Sequence, residues 1–351
     1  MTCKILTIVG ARPQFVKAAP VGHAIKKMDG LQEVLVHTGQ HYDTAMSEVF
    51  FEELGIAAPA YNLGVGGGGH GEMTGRMLMA LEPLMAEEKP DAVLVYGDTN
   101  STLAGALTAA KIHIPVFHVE AGLRSFRMTM PEEINRRMTD HVANLLFCPT
   151  KRAVNNLKRE GIEKGVLFVG DVMYDSALLA AKTDAGSDIV ERLDLQTTAY
   201  EVATVHRAEN TDNPQALTEV LSFLKERALN MPVVLPLHPR TRNAAAKHGQ
   251  TFDGLMVIDP LGYLEMAHLI RGSAGVLTDS GGLQKEAYFH RVPCITLRDE
   301  TEWVETIDNG WNRLWKSPKN YEEKRDISEY GTGNSADKIV KAMIGFLNDV
   351  A

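Results

Sequence analysis

The sequence of 351 residues is poor in cysteine and has no long apolar run. Its cysteines, Cys3, Cys148 and Cys294, are far apart and lack the spacing of a zinc site or a redox motif. This pattern predicts three buried thiols in a reducing compartment. No apolar run approaches the roughly 20 residues that span a bilayer, and the first residues are typical of a strand, not of a signal peptide. We therefore expect a cytoplasmic protein without a membrane partner.

An excess of positive charge is also absent. The formal net charge is −9, which argues against nucleic acid as a partner, because phosphate-rich surfaces select basic proteins. The 12 histidines form no Cys/His cluster and no H-E-x-x-H motif, so we expect no metal. The run GVGGGG (64–69) fits G-x-G-x-x-G, but no strong strand precedes it. It is interpreted as a loop, and no dinucleotide cofactor is expected.

Short β-branched runs alternate with helical segments along nearly the whole chain. The runs are apolar throughout, which is typical of strands buried on both faces of a parallel sheet. The alternation predicts an α/β fold with doubly wound sheets. It restarts after residue 170 with five strand-like runs: EVATVHR, PVVLPLHP, LMVIDP, AGVLTDSGG and PCITLRD. We predict two Rossmann-like domains facing a cleft, at 1–170 and 171–335.

Ligands of open parallel sheets bind at the carboxyl ends of the strands, so residues that follow strands are candidates. Arg12 and Lys17 follow the first strand, where backbone N–H groups and the helix dipole favour an anion. Surface charges without a ligand are the alternative for this pair. Asp98 and Glu120 follow two later strands, and carboxylates in such places can move protons.

The segment PEEINRRMTDHVAN is predicted to be a helix with Pro131 in its first turn. Glu132 and Arg136 are assigned to the same site as the acids before it. Glu133 and Arg137 are four residues apart and are interpreted as partners on the helix surface.

Histidines follow two strands of the second half, at His206 and His238. The run LTDSGGLQKEA combines a strand, two glycines and a helix start, which suits a diphosphate. An acid in that helix can bind ribose hydroxyls, although a plain tight turn is the alternative. The candidates of this run are Ser280, Gly281, Gly282 and Glu286.

Nine motifs in order along nearly the whole chain resemble the non-hydrolysing UDP-N-acetylglucosamine 2-epimerases. They are GARPQFVKAAP, GQHYD, YGDTNSTLAGALTA, HVEAGLRS, PEEINRR, DVMYDSAL, TVHRAEN, LHPRT and LTDSGGLQKEA. The resemblance implies a glycosyltransferase-B-like fold with UDP in the cleft and the terminal helix, 336–351, packed back on the first domain. It also implies a homodimer that binds a UDP-sugar and needs no cofactor.

The resemblance implies a reaction in which the C2 proton of the sugar is removed while UDP leaves C1. UDP then adds back to the glycal, and a proton is delivered to the opposite face of C2. Such chemistry needs carboxylates and donors for the diphosphate. The implied catalytic residues are Asp98, Glu120, Glu132 and His206. The implied ligands of the substrate are Arg12, Lys17, Arg136, His238, Ser280, Gly281, Gly282 and Glu286.

Some positions depart from the main pattern of this family. TEWVE replaces T-E-R-P-E, with Trp303 and Val304 in place of arginine and proline. Leu261 and Met266 also replace the side chains that the family has near the nucleotide base. The segment after GQH lacks the pattern linked with allosteric substrate binding. With the short loop SFRMTM and with GHGEMTGRML, these features resemble the branch acting on UDP-2,3-diacetamido-2,3-dideoxy-D-glucuronate. That branch makes the manno epimer for bacterial surface polysaccharide, including the O-antigen of lipopolysaccharide.

A uronate substrate brings an additional carboxylate, and the planar donors of arginine suit a carboxylate. Arg127, Arg76 and Arg124 are candidates, and our hypothesis places Arg127 near the C6 carboxylate. A solvent-exposed arginine is the alternative. Four other activities stay open: a UDP-N-acetylglucosamine 2-epimerase, a UDP-sugar glycosyltransferase on the same fold, a hydrolysing epimerase and a non-catalytic nucleotide-sugar binding protein.

Overall fold

The computed structural model describes residues 2–40, 53–317 and 321–350. The chain divides into two compact units, one formed by Met1–Ser176 with Ser328–Ala351 and the other by Ala177–Ile327. Each unit contains one parallel β-sheet with helices between its strands, which confirms the predicted α/β class. Within the described ranges, no helix is both long and apolar enough to cross a bilayer.

The first unit is built on a seven-stranded sheet. Its strands are β1 (Cys3–Val9), β2 (Leu31–His37), β3 (Tyr61–Asn62), β4 (Ala92–Tyr96), β5 (Val116–Val119), β6 (Leu145–Cys148) and β7 (Val166–Phe168). Its helices before residue 181 are α1 (Arg12–Lys26), α2 (His70–Glu88), α3 (Asn100–Lys111), α4 (Pro131–Val142), α5 (Lys151–Arg159) and α6 (Val172–Ala180). All strands run parallel, in the order β3-β2-β1-β4-β5-β6-β7.

Local sequence explains where these elements form. β4 and β5 are apolar and fully buried, because helices cover both faces of the sheet. Thr99 and Thr150 accept hydrogen bonds from the backbone N–H of the third residue of α3 and α5, respectively, and so fix the start of each helix. α3 is rich in alanine and glycine, which lets it pack closely on β1 and β4.

The order of the strands reverses beside β1. β2 and β3 lie on one side of β1, and β4 to β7 lie on the other. In an open parallel sheet, ligands bind at the carboxyl ends of the strands beside such a reversal. Gly10, Gly97 and Glu120 directly follow β1, β4 and β5, so the fold brings the predicted strand-end residues to this edge.

The second unit repeats this plan with a six-stranded sheet. Its strands are β8 (Glu201–Thr204), β9 (Val233–Pro236), β10 (Met256–Ile258), β11 (Gly275–Thr278), β12 (Cys294–Thr296) and β13 (Asn312–Leu314), in the order β10-β9-β8-β11-β12-β13. Its helices are α7 (Ile189–Arg192), α8 (Ala208–Thr211), α9 (Pro214–Ala228), α10 (Pro239–Lys247), α11 (Tyr263–Arg271), α12 (Gly281–Phe289) and α13 (Val304–Asp308). The sequence predicted five of these strands and missed β13, because that short edge strand begins with polar residues.

The chain returns to the first unit in its last helix, α14 (Ser335–Val350), which packs against α1. Asp175 caps this helix, because its carboxylate accepts the backbone N–H groups of Ser335 at 3.2 Å and Ala336 at 3.0 Å. The domain boundaries predicted from the sequence were 170 and 335. The compact units divide after residues 176 and 327.

The cysteines are free in the structure. Cys148 and Cys294 are buried, and burial raises the pKa of both thiols. The prediction of a third buried thiol is wrong, because Cys3 begins β1 and is only half-buried. Residues 46–52 of the run MSEVFFEELG, whose spacing predicts a helix, and most of the GQHYD motif lie outside the described residues.

A half-buried histidine makes the stability of the second unit depend on pH. Burial first, and then the charges of Arg271 and His268, lower the pKa of His290 to about 4. The unfolded chain takes up this proton near pH 6.5, whereas the folded chain does not. The stabilising contribution of His290 to the folded unit is therefore fully present above pH 6.5, and it is lost as the pH falls towards 4.

We expect this histidine to lower the free energy of unfolding by about 2 kcal/mol between pH 7.5 and pH 5. Urea denaturation followed by tryptophan fluorescence measures it, because Trp303, Trp311 and Trp315 are the only tryptophans in the sequence and all lie in the second unit. His290→Asn should lose most of the pH dependence between these two values. An equal dependence in the variant and the wild type would contradict the assignment.

Candidate active site

Lys17 and Glu120 meet at the carboxyl edge of the first sheet. The Lys17 ammonium on α1 contacts the Glu120 carboxylate directly after β5, and the side chains are only 12% and 10% exposed. Glu120 has a φ of +70°, which non-glycine residues rarely adopt outside constrained sites. A Cβ added at Gly97, whose φ is +64°, would lie 3.2 Å from Glu120 Oε2 and 3.4 Å from Lys17 Nζ. Glycine therefore lets the turn after β4 pass directly beneath the pair.

A second pairing of acid and cation lies at the end of β4. The Asp98 carboxylate contacts the guanidinium of Arg136 on α4, and Asn135 donates to the Asp98 backbone carbonyl at 2.9 Å. The side chain of Asp98 is 35% exposed and that of Arg136 is 13% exposed. The structure thus brings Asp98 and Arg136 together, with the acid more open to a ligand than the arginine.

The interpretation of Glu133 as a helix-surface residue is wrong, because this side chain is fully buried. Its carboxylate accepts the N–H of Ser125 at 2.8 Å and the Ser125 hydroxyl at 2.9 Å, and it pairs with Arg136 at 2.8 Å and Arg137 at 3.1 Å. Burial alone would raise the pKa of Glu133, but the Ser125 bonds and then Arg136 hold it below its ordinary value. Glu133 therefore ties the loop before α4 to the arginines of that helix.

Arg124 does not fit the predicted uronate contact. Its side chain is fully buried, bonded to Asp140 at 2.7 Å and through two donors to Glu160 at 2.8 Å. Burial alone would lower the pKa of Arg124, but the bonds and charges of Glu160 and Asp140 raise it above its ordinary value. The guanidinium of Arg124 is thus bonded to two carboxylates, which is the arrangement of a buried structural ion pair.

A buried imidazole beneath the acids was missed by sequence reasoning. His118, in the middle of β5, is fully buried, with Nδ1 2.7 Å from Asp140 Oδ1 and Nε2 2.7 Å from the carbonyl oxygen of Gly97. Burial alone would raise the pKa of Asp140, but the bond and charge of His118, and then Arg124, lower it. A histidine within the apolar run VFHV is the signal that could have revealed this network, because buried polar groups are almost always bonded.

The remaining catalytic and phosphate candidates of the first unit, Arg12 and Glu132, lie in the first turns of α1 and α4. Arg12 is the first residue of α1, three residues after the end of β1, and is half-buried. Glu132 is the second residue of α4 and is also half-buried. The structure pairs Arg136 with Glu133, one residue further along the helix, and not with Glu132.

The other two arginines proposed for a uronate differ in their surroundings. Arg127 is exposed on the loop between β5 and α4, and its backbone N–H donates to the Ser125 hydroxyl at 3.3 Å. Arg76, on α2, donates to the carbonyl oxygens of Gly66, at 3.1 Å, and Gly67. Arg76 therefore holds the glycine-rich segment, whereas Arg127 is an exposed residue of its loop.

The strand ends of the second unit carry the two predicted histidines. The buried carboxylate of Asp279 accepts the backbone N–H groups of His206 and Arg207, both at 3.0 Å, and lies 3.6 Å from His206 Nδ1. His238 caps α10, since its Nδ1 accepts the N–H of Arg240 at 3.1 Å. The rings of His206 and His238 lie 5.5 Å apart. Asp279 was missed, although its place directly after β11 follows the strand-end rule.

The predicted diphosphate turn opens α12. Ser280 is its N-cap, and Gly281 and Gly282 are its first two residues, so their backbone N–H groups lie at the start of the helix. A Cβ added at Gly281 would lie 2.3 Å from Glu302 Oε1, so this carboxylate packs directly against the turn. Glu286 lies in the second turn of α12 and is half-buried.

Three of the departures from the family pattern have local explanations in the second unit. Trp303 is 8% exposed, and the ammonium of Lys285 lies 4.0 Å from its ring centroid, which is a cation–π contact. Leu261 and Met266 pack against the apolar core of this unit. Within the described residues, no group of three histidine, cysteine or acidic side chains is arranged to hold a metal ion.

Comparison with known proteins agrees with this geometry. The family model for UDP-N-acetylglucosamine 2-epimerase matches residues 23–344. A Pseudomonas aeruginosa protein named UDP-2,3-diacetamido-2,3-dideoxy-D-glucuronate 2-epimerase is 56% identical over 315 residues, which cover 89% of this chain and 88% of that protein.

Two solved structures share the fold over almost the whole chain. The Methanocaldococcus jannaschii UDP-GlcNAc 2-epimerase, in complex with UDP-GlcNAc and UDP, gives a TM-score of 0.84 at 38% identity, covering 98% of this chain and 100% of that chain. The Neisseria meningitidis UDP-GlcNAc 2-epimerase bound to UDP-GlcNAc gives a TM-score of 0.87 at 28% identity, covering 97% and 100%.

An α/β chain with these matches is an isomerase that acts on UDP-sugars. It belongs to the UDP-N-acetylglucosamine 2-epimerase family, as its nine motifs predicted. The family sets aside the glycosyltransferase and the non-catalytic binding protein as alternatives.

Proposed function

We propose that this enzyme converts UDP-2,3-diacetamido-2,3-dideoxy-D-glucuronate to its manno epimer at C2. The observation that carries the proposal is the 56% identity, over 89% of this chain, to the Pseudomonas aeruginosa enzyme named for that substrate. Epimerisation of UDP-N-acetylglucosamine is the second candidate, and the solved relatives that bind UDP-GlcNAc favour it.

The proposed chemistry begins with elimination. A carboxylate takes the C2 proton, the C1–O bond to UDP breaks with its electron pair, and a C1–C2 double bond forms. In the second half, the diphosphate oxygen bonds to C1 again, and an acid protonates C2 on the opposite face. Asp98, Glu120 and Glu132 are the proposed acids and bases, because two opposite faces of C2 require more than one proton carrier.

The cations beside the acids have a role in the same cycle. In the structure, Lys17 pairs with Glu120, and Arg136 pairs with Asp98. An arriving diphosphate competes with these carboxylates for the cations, because phosphate oxygens are good acceptors of charge-assisted bonds. Substrate binding would then release carboxylates for proton transfer, with Arg12 joining Lys17 at the phosphate.

The second unit is proposed to hold the nucleotide. The N–H groups of Gly281 and Gly282 at the start of α12 are suited to a diphosphate, and Glu286 to ribose hydroxyls. His206 is held by its backbone bond to Asp279, and its ring is a proposed donor to the diphosphate as negative charge develops there. His238, whose tilted ring lies 5.5 Å away, is proposed to support that ring.

We further infer a cytoplasmic homodimer that supplies bacterial surface polysaccharide, such as the O-antigen of lipopolysaccharide. This inference rests on the resemblance of the sequence to the uronate branch. Sedimentation of the purified protein at two concentrations tests the dimer.

A direct comparison of two substrates tests the proposed specificity. The purified enzyme is incubated separately with the diacetamido uronate and with UDP-N-acetylglucosamine, and epimers are measured by proton NMR. We expect kcat/KM to be about 100-fold higher for the uronate, because a charged subsite strongly prefers the ligand that pairs with it. An equal or higher value for UDP-N-acetylglucosamine would favour the second candidate.

The Arg127→Ala variant tests the uronate contact. The loop of Arg127 is braced by the buried Glu133, which accepts the backbone N–H and the hydroxyl of Ser125 and so favours a fixed backbone there. We expect kcat/KM for the uronate to fall about 10- to 100-fold, the value of one charge-assisted bond, with little change for UDP-N-acetylglucosamine. Arg152→Ala, at another exposed arginine of the first unit, is the matched control. An equal loss on both substrates would exclude a role of Arg127 in specificity.

A further inference from the structure

The histidine beneath the two carboxylates has a hydrogen bond at each ring nitrogen. Nδ1 of His118 is 2.7 Å from Asp140 Oδ1, and Nε2 is 2.7 Å from the carbonyl oxygen of Gly97. The Asp140 carboxylate also accepts the N–H of Gly122 at 3.1 Å and a guanidinium N–H of Arg124 at 2.7 Å. The His118 ring is therefore held on both sides by groups that are themselves fixed in the first unit.

The hydrogen bond between His118 and Gly97 connects the ring to Asp98 and to the Lys17–Glu120 pair. His118 binds the Gly97 carbonyl, and the Gly97 N–H donates to Val119 at 3.0 Å, so β5 holds the turn from both sides. Asp98 is the next residue. The space above Gly97 is filled by the ends of Lys17 and Glu120. A shift of Gly97 would thus displace both carboxylates.

The hydrogen bond between His118 and Asp140 connects the ring to the turn after Glu120 and to Arg136. Asp140 receives the N–H of Gly122, two residues after Glu120, and so fixes the turn that holds this carboxylate. Asp140 and Arg136 are four residues apart on α4 and therefore share a face of the helix. His118 stands at the junction of the three segments that carry Asp98, Glu120 and Arg136.

We propose that His118 is a positioning residue, a clamp that is hydrogen-bonded at both ring nitrogens and sets the separation of Asp98 and Glu120. It is not a catalytic residue, because it is fully buried and cannot touch the substrate. The proposal rests on the proposed function, in which those two carboxylates transfer protons at C2. Proton transfer is sensitive to such placement, since a displacement of 1 Å can lower the rate by about 100-fold.

Three substitutions of His118 distinguish its hydrogen bond to Asp140 from its hydrogen bond to Gly97. His118→Leu removes both hydrogen bonds, His118→Asn can keep a hydrogen bond to Asp140, and His118→Gln can keep one to Gly97. We expect His118→Leu to lower kcat about 100-fold while KM changes less than about 3-fold, because the cations that bind the diphosphate remain. Asn and Gln should each restore part of kcat, and they carry the test if the leucine variant does not fold.

A matched control comes from a second histidine of the same unit. His23, on α1, also bonds a backbone carbonyl through Nε2, at 2.9 Å from Gly55. His23→Gln should leave kcat unchanged. Unaltered kcat in folded His118→Asn and His118→Gln, with only lower thermal stability, would overturn the positioning role.

A spectroscopic signature keeps this inference distinct from the proposed function. Nitrogen-15 NMR of the histidine rings is recorded on the substrate-free wild type, and the signal of His118 is assigned by its absence in His118→Gln. We expect the signals of both ring nitrogens to show a hydrogen bond. A ring nitrogen without a hydrogen bond would overturn the clamp, whatever the activity. A wild type that shows both hydrogen bonds but epimerises neither UDP-sugar would refute the proposed function and leave the hydrogen-bonded clamp in place.

Discussion

In the Glu120→Gln variant, we expect kcat to fall by about 100- to 10,000-fold, the range of general acid–base catalysis. The amide keeps the shape of the side chain but can neither take a proton from C2 nor neutralise Lys17. The loss should appear in kcat more than in KM, because Lys17 stays available to the diphosphate and Arg12 is untouched. Initial rates of epimer formation at saturating substrate measure the effect.

The first unit contains a matched control for this substitution. Glu88 pairs with Lys4 at 2.9 Å at the opposite edge of the same sheet, near the amino end of β1. Glu88→Gln removes an acid from a similar pair with lysine, and it should leave kcat unchanged. If the two variants lost activity equally, Glu120 would be an ordinary structural partner of Lys17 and not a carrier of protons.

The Arg124→Ala variant should unfold much more easily than the wild type, by about 3–5 kcal/mol. The substitution leaves the Asp140 carboxylate fully buried with one cation fewer, and it leaves Glu160 without its bidentate partner. Arg127→Ala, on the same loop but at an exposed position, should change the free energy of unfolding by less than about 0.5 kcal/mol. Denaturation with urea, followed by circular dichroism, compares the two variants.

The positions of the tryptophans allow the stability lost in Arg124→Ala to be assigned to one of the two units. All three tryptophans lie in the second unit, so their fluorescence follows that unit, whereas circular dichroism follows the helices of both. A shift in circular dichroism that exceeds the shift in fluorescence assigns the destabilisation to the first unit. Equal midpoints for Arg124→Ala and Arg127→Ala in circular dichroism would contradict a structural role for the buried arginine.

The alternation of apolar runs and helices predicted the fold class and most of the strands, because strands of parallel sheets are apolar on both faces. The same rule placed Asp98 and Glu120 at strand ends, where the structure pairs them with Arg136 and Lys17. These residues could be predicted because the end of a strand can be located from the sequence of that strand alone. β13 was missed because its pairing depends on β12, which is not visible in its own three residues.

The buried charges could not be predicted, because their partners are distant in the sequence. Arg124 meets Glu160, which is 36 residues away, and His118 meets Asp140, which is 22 residues away. Glu133 illustrates the same limit at short range. Its pairing with Arg137 was foreseen from the spacing, but the Ser125 loop that covers it and buries it was not.

The central claim is that proton exchange at C2 accompanies reversible departure of UDP. The most direct measurement is an incubation of the wild type with the UDP-uronate in deuterated water, without any acceptor, followed by proton NMR. The account predicts that the epimer and the recovered substrate both carry deuterium at C2 while UDP stays bonded at equilibrium. An epimer that retains its C2 proton, or one-to-one accumulation of free UDP and free sugar, would contradict it.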